Sequence, residues 1–170
     1  MTEEPQVHLI WPVERLSSPP PVYVPEGYIL RLYRPGDEPF FFEVMEQAGW
    51  PGWNEKRLRP WQERLLQDGW FMVVHLESER LVATAMALQD CEEFGEPGGE
   101  IGWVACVPSH RRRGLGTAVT VAALRRLLAE GFRYVHLYTE PWRTGALAMY
   151  RRLGFVSVQG DCFQGGNRVI

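Results

Sequence analysis

EIGWVACVPSHRRRGLGTAVTVAALRRLLAEGFRYVHLYT, residues 100–139, decides the fold. Its opening, Glu100–Val107, is apolar enough for a buried strand and stops at Pro108. From Gly114 to Glu130 apolar residues recur at spacings of three and four, at Leu115, Ala118, Val121, Ala122, Leu124 and Leu128. Gly131 follows as a helix-ending glycine, and FRYVHLYT (132–139) reads as a strand again. A strand, a helix and a second strand of these lengths make a right-handed crossover, so the two strands run parallel.

Upstream, WFMVVHL (70–76) and RLVATAMALQD (80–90) flank a short ESE turn and form an antiparallel hairpin. YILRLYR (28–34) alternates as a first strand. Asp37 stands where it would cap a helix over Phe40–Ala48, GWPGWN breaks that helix, and a second helix is expected over Leu58–Gln67. Downstream, residues 143–153 are helical, with Leu147, Tyr150 and Leu153 on one side. GFVSVQG begins a last strand that RVI at the end of the sequence is placed to join. The proline-rich stretch of residues 1–27 reads as an arm ahead of a domain spanning 28–170, with VHLIW (7–11) able to dock as an added strand. There is no internal repeat.

At 170 residues, 45% hydrophobic and 23% charged, the chain fits one globular domain with a substantial core. A net charge of −3 argues against a chain that grips nucleic acid by bulk electrostatics. Three cysteines, Cys91, Cys106 and Cys162, have no paired spacing, so reduced thiols are expected, with no disulfide frame and no metal site. No apolar run is long enough to cross a membrane and residues 1–27 lack a signal-peptide pattern, so the expected location is cytoplasmic.

SHRRRGLG (109–116) sits where the strand gives way to the helix. Backbone N–H groups of a first helical turn have no internal partners, the helix dipole adds positive charge there, and glycine admits a ligand close to the backbone. The stretch therefore suits an anion, above all a phosphate. Arg111, Arg112 and Arg113 can add side-chain contacts. The plainer alternative is a solvated turn before an ordinary helix. A nucleic-acid patch is the third reading, and no second basic–aromatic stretch supports it. Walker A lacks its lysine here, and G-x-G-x-x-G is broken because Gly114 and Gly116 are followed by Val119.

VPSHRRRGLG resembles the coenzyme A signature of the GNAT superfamily of acyl-CoA-dependent N-acyltransferases, [Q/R]-x-x-G-x-[G/A], with Arg111, Gly114 and Gly116 at its fixed positions. ALAMYRRLGF (146–155) resembles the family's C-terminal motif A-x-x-x-Y-x-x-x-G-F at every fixed position. Arg143 departs from the asparagine that the family often carries three residues before the alanine. The resemblance implies an α/β (α+β) fold, with a mixed, mostly antiparallel central sheet of six to seven strands, one parallel strand–helix–strand unit and helices on both faces. It implies acetyl-CoA as cosubstrate, its pyrophosphate on Arg111, Arg112, Arg113, Gly114, Leu115, Gly116 and Thr117. The pantetheine arm would lie along the strand edge Val104, Ala105, Cys106 and Val107, where a backbone N–H would meet the developing oxyanion. Cys106 itself reads as a small buried residue rather than a nucleophile.

The resemblance makes Tyr150 the general acid, against its reading as a core tyrosine. It makes Glu100, fourteen residues before Gly114, the base, against its reading as an exposed carboxylate at a strand entrance. At about 3.3 Å per residue Glu100 lies roughly 13 Å from Val104, so a bridging water or a deeply inserted amine is required. His136 reads as structural but stands next in line as base, and His110 flanks the phosphates. Trp50, Trp53 and Trp61 either wall the acceptor site or pack a hydrophobic loop, and Glu92, Glu93 and Glu96 either attract a cationic amine or are solvated. The expected activity is N-acetyl transfer by direct attack of a primary amine, on a small molecule or a peptide. No nucleic-acid or membrane partner is expected, and a homodimer is allowed. The competing reading is a catalytically idle acyl-CoA-binding or sensor module.

Overall fold

The computed structural model describes residues 5–90 and 97–158. The strands are β1 (Val7–Ile10), β2 (Tyr28–Leu32), β3 (Leu65–His75), β4 (Arg80–Gln89), β5 (Gly99–Cys106), β6 (Val135–Thr139) and β7 (Val156–Ser157). The helices are α1 (Glu38–Gln47), α2 (Glu55–Arg64), α3 (Leu115–Glu130) and α4 (Thr144–Leu153). One seven-stranded sheet runs in the order β2-β3-β4-β5-β6-β1-β7. All its pairings are antiparallel except β5 with β6. The mixed α/β class and the parallel crossover expected from residues 100–139 are both present.

Successive strand residues point to opposite faces, which shows that helices cover both. A Cβ on Gly99 would strike Leu127 of α3 at 2.6 Å, whereas the next residue, Glu100, meets Arg64 at the end of α2. On that second face Phe41 of α1 packs edge-on against Trp53 and Trp70, and the Trp70 indole donates to Thr84 at 3.0 Å. Trp11, Phe41, Trp70, Met72 and Leu124 are among the side chains fully buried in the core. Burial of each stabilises by roughly 1.5–3 kcal/mol.

Three local expectations are revised. Asp37 occupies the N-cap position of α1 but makes no side-chain cap bond. Its carboxylate is held by the Arg31 guanidinium at 2.7 and 2.9 Å and by the Arg34 N–H at 2.8 Å, and the Arg31 bond lowers its pKa. Helix α2 starts three residues before Leu58, because Asn54 caps it by accepting from the Arg57 N–H at 3.0 Å. It also ends before Gln67, since Leu65 is already extended and opens β3.

The proline-rich segment divides. Val7–Ile10 pairs with β6 on one side and β7 on the other, deep inside the sheet rather than on an arm. Trp11 follows at 1% exposure, its N–H on the Val135 carbonyl at 2.8 Å. Farther on, Arg125 of α3 donates to the carbonyls of Pro19 and Pro20, so this stretch lies along α3. The expected RVI strand and the loop of Glu92, Glu93 and Glu96 lie outside the described residues.

Candidate active site

After β5 a single 3₁₀ turn, Pro108–His110, leads into the arginines. Gly114 caps α3 with φ +84°, in the left-handed region where other residues are strained, and Arg112 is left-handed too at +59°. Nothing lies within 4 Å of where a Cβ on Gly114 would be. Ala118 N–H closes the first α-helical bond onto the Gly114 carbonyl at 3.0 Å, so the amides before it have no helical partner at the positive end of a sixteen-residue helix. These residues fit a pyrophosphate.

The arginines do not share one task. Arg111 turns back, its Nε donating to the Cys106 carbonyl at 3.0 Å. Arg113 donates to the Tyr28 hydroxyl at 3.2 Å, and that hydroxyl lies 2.7 Å from His110 Nδ1. Burial, then His75 and Arg113, hold the His110 imidazole below its ordinary pKa. Arg112 is exposed, Leu115 is buried in the core at 1% exposure, and Gly116 and Thr117 are half-buried at the helix start.

Strands β5 and β6 pair only at Gly99 with Val135 and Glu100 with His136. Beyond that point they part, and a cleft opens along the rest of β5. The register against β4 slips by one residue between Gly102 and Ala105, and Trp103 stands at φ +50°, so a bulge marks the middle of the strand. Val107 N–H is taken up by the Val82 carbonyl at 2.9 Å. Strand alternation turns the Cys106 N–H the other way, toward the side β6 has left, which narrows the oxyanion donors expected from Val104–Val107. Burial raises the Cys106 thiol to about 11, the opposite of an activated nucleophile. Ala105 is buried and Val104 half-buried. At the end of β6, Thr139 Oγ1 is buried without a partner, a polar atom that a ligand amide in the cleft would answer.

Tyr150 on α4 is 3% exposed, edge-on to Phe155, and burial pushes its hydroxyl up to about 12. It is a core tyrosine and stays protonated at neutral pH, as a proton donor must. Glu100 is 5% exposed, so it is no surface carboxylate. Its Oε2 accepts from Arg64 at 2.7 Å. Arg64 also reaches Asp90 at 3.5 Å, and the other Asp90 oxygen lies 2.6 Å from His136 Nε2. His136 Nδ1 is 3.2 Å from His8 Nε2, which is also 3.2 Å from the Tyr134 hydroxyl. Arg64, Asp90 and His8 were not singled out from the sequence. The contacts that join them span 26 to 128 residues, and no local pattern carries such a signal.

Above this network the tryptophans gather. Trp103 meets Trp50, Trp53 and Trp61 edge-on at centroid distances of 5.8, 4.6 and 5.1 Å. Trp50 extends to Trp142 beyond β6, 6.4 Å away, with Arg143 stacked over it. The Trp50–Trp53 segment therefore bridges the two walls of the cleft. Among the described residues no three metal-ligating side chains come together.

The Acetyltransferase (GNAT) family matches residues 31–155. Mycothiol acetyltransferase of Saccharomonospora viridis is 35% identical over 163 residues, covering 89% of this chain and 50% of that protein. A GCN5-related N-acetyltransferase from Sphaerobacter thermophilus superimposes with a TM-score of 0.69 at 28% identity, over 92% of this chain and 50% of that one. The ribosomal-protein-S18-alanine N-acetyltransferase from Escherichia coli shares the fold, with a TM-score of 0.63 at 22% identity over 77% of this chain and 79% of that one. The chain spans about half the length of the curated relatives it matches. It belongs to the GNAT acetyltransferase family.

Proposed function

We propose that this GNAT domain transfers the acetyl group of acetyl-CoA to a primary amine by direct attack. The observation that carries the reading is the parting of β5 and β6 beside a glycine-capped helix start, a cleft and an anion site in line. Acetyl-CoA supplies the activated thioester. The amides from Arg111 to Thr117 hold its pyrophosphate, and the Cys106 N–H, with Val104, lines the path to the bulge. Glu100 takes the proton from the attacking nitrogen, through a water. The new N–C bond forms as the C–S bond breaks, and Tyr150 protonates the departing sulfur. The name of the relatives favours a small-molecule amine of the mycothiol type as acceptor, and the tryptophan group would wall it.

The test is release of free CoA thiol from acetyl-, propionyl- and succinyl-CoA across a panel of primary amines that includes mycothiol-related ones and peptide N-termini. Amine-dependent release is expected, fastest with acetyl-CoA. CoA binding by calorimetry with no release on any amine would return the chain to an idle binding module.

A further inference from the structure

Glu100 is buried, and a charge taken out of water is costly unless it is paired. The counter-charge comes from Arg64, the last residue of α2. Its guanidinium is fixed from several sides: Nε on the Gln89 carbonyl at 2.9 Å, Nη2 on Glu100 at 2.7 Å and on Asp90 at 3.5 Å, with the group over the Trp61 ring at 5.3 Å. The short ionic contact belongs to Glu100. The Asp90 carboxylate is engaged more closely by His136, at 2.6 Å.

We infer that Arg64 is the positioning residue for Glu100, pairing with its carboxylate and aiming it so that it can take a proton from the acceptor amine. Among the described residues, the titratable and charged groups around this carboxylate are Arg64 from α2, Asp90 after β4, His136 on β6, and His8 of β1 with Tyr134 behind it. Arg64 is the permanent cation of the set, because a guanidinium does not lose its proton near neutral pH.

This inference rests on Glu100 being the base, and the experiment separates the two. The pH dependence of kcat/KM is measured with the best amine of the release screen for the wild type, Arg64→Met, Arg64→Lys and Glu100→Gln, with CoA affinity recorded for each. The wild-type rate should rise with pH as the base ionises. Removing the cation takes away the partner of the carboxylate, so Arg64→Met should move that limb to higher pH, with activity recovering at alkaline pH and CoA affinity unchanged. Arg64→Lys, which keeps the charge, should bring the limb back most of the way. If Arg64→Met does not fold, Arg64→Gln, which keeps a donor for the Gln89 carbonyl, reads the same limb. A limb that stays in place in the charge-free variant, even at lower height, overturns the positioning role. Glu100→Gln should abolish the limb; if it leaves the limb intact, the base assignment itself is wrong and Arg64 falls with it.

Discussion

At its N-terminal end β5 carries Glu100, shut from solvent and held by a guanidinium 2.7 Å away. At its C-terminal end it opens into exposed Arg111, Arg112 and Gly114, where the amides at the start of α3 have no helical partner. The first end is assembled from four strands and a helix terminus. The second is assembled from one loop and the helix it enters. On the proposed function the difference separates the tasks: the loop end binds, and the buried end holds charge in place, which couples it to the stability of the fold.

That division is most exposed to a test at Tyr150. In the proposed mechanism its hydroxyl serves turnover and not CoA binding, so Tyr150→Phe should lower kcat by about 10²–10⁴ while calorimetry gives an unchanged CoA affinity. Wild-type turnover in the folded variant would leave Tyr150 as core alone. Next in size is Asp90→Ala, which strips His136 Nε2 of its partner and Arg64 of its second carboxylate. It should cost about 1–3 kcal/mol, read as a fall in melting temperature of roughly 2–4 °C per kcal/mol. An unchanged melting temperature would show that the buried end does not support the fold.

At the loop end the prediction reverses. Gly114→Val should weaken CoA binding by about tenfold or more, since it combines a left-handed backbone with a branched side chain in the ligand's space. Gly114→Asn sharpens the cause, because asparagine tolerates that backbone: weak binding that persists in it must come from the side chain. The smallest effect concerns His110. Its folded pKa is lowered, so the unfolded chain takes up the proton first. The stability it contributes is complete above the ordinary histidine value of about 6.5 and is lost as pH falls below it. His110→Gln should show a shallower decline in melting temperature on that acidic side, and parallel curves would show that His110 titrates as an ordinary surface histidine.

What the sequence disclosed follows the same division. The loop was legible because glycine spacing, a proline stop and helical periodicity all act within a few residues of one another. Gly114 is needed where it stands for a backbone reason that the motif only records. The roles inside the loop were not legible: Arg111 and Arg113 look alike in the string, and only the fold sends one to the Cys106 carbonyl and the other to Tyr28. The partner of Glu100 was hidden, since nothing near residue 100 points to residue 64. Helix α2 was placed three residues late because the Asn54 cap that starts it was not recognised in the sequence. The strand at Val7–Ile10 was recognised only as an addition, because its partners lie at the other end of the chain.

That strand sets the order in which the molecule can be completed. His8 touches His136 across 128 residues of sequence, and β1 fills the sheet between β6 and β7. During synthesis the strand leaves the ribosome early and finds no partner until β6 follows. At about 5–20 residues per second the wait is on the order of ten seconds. Through that interval β2, β3, β4 and β5 can pair with their sequence neighbours, while the half of the sheet that carries His8 and His136 cannot close. The part of the buried network that His8 and His136 supply is thus completed late, by a segment made more than a hundred residues earlier.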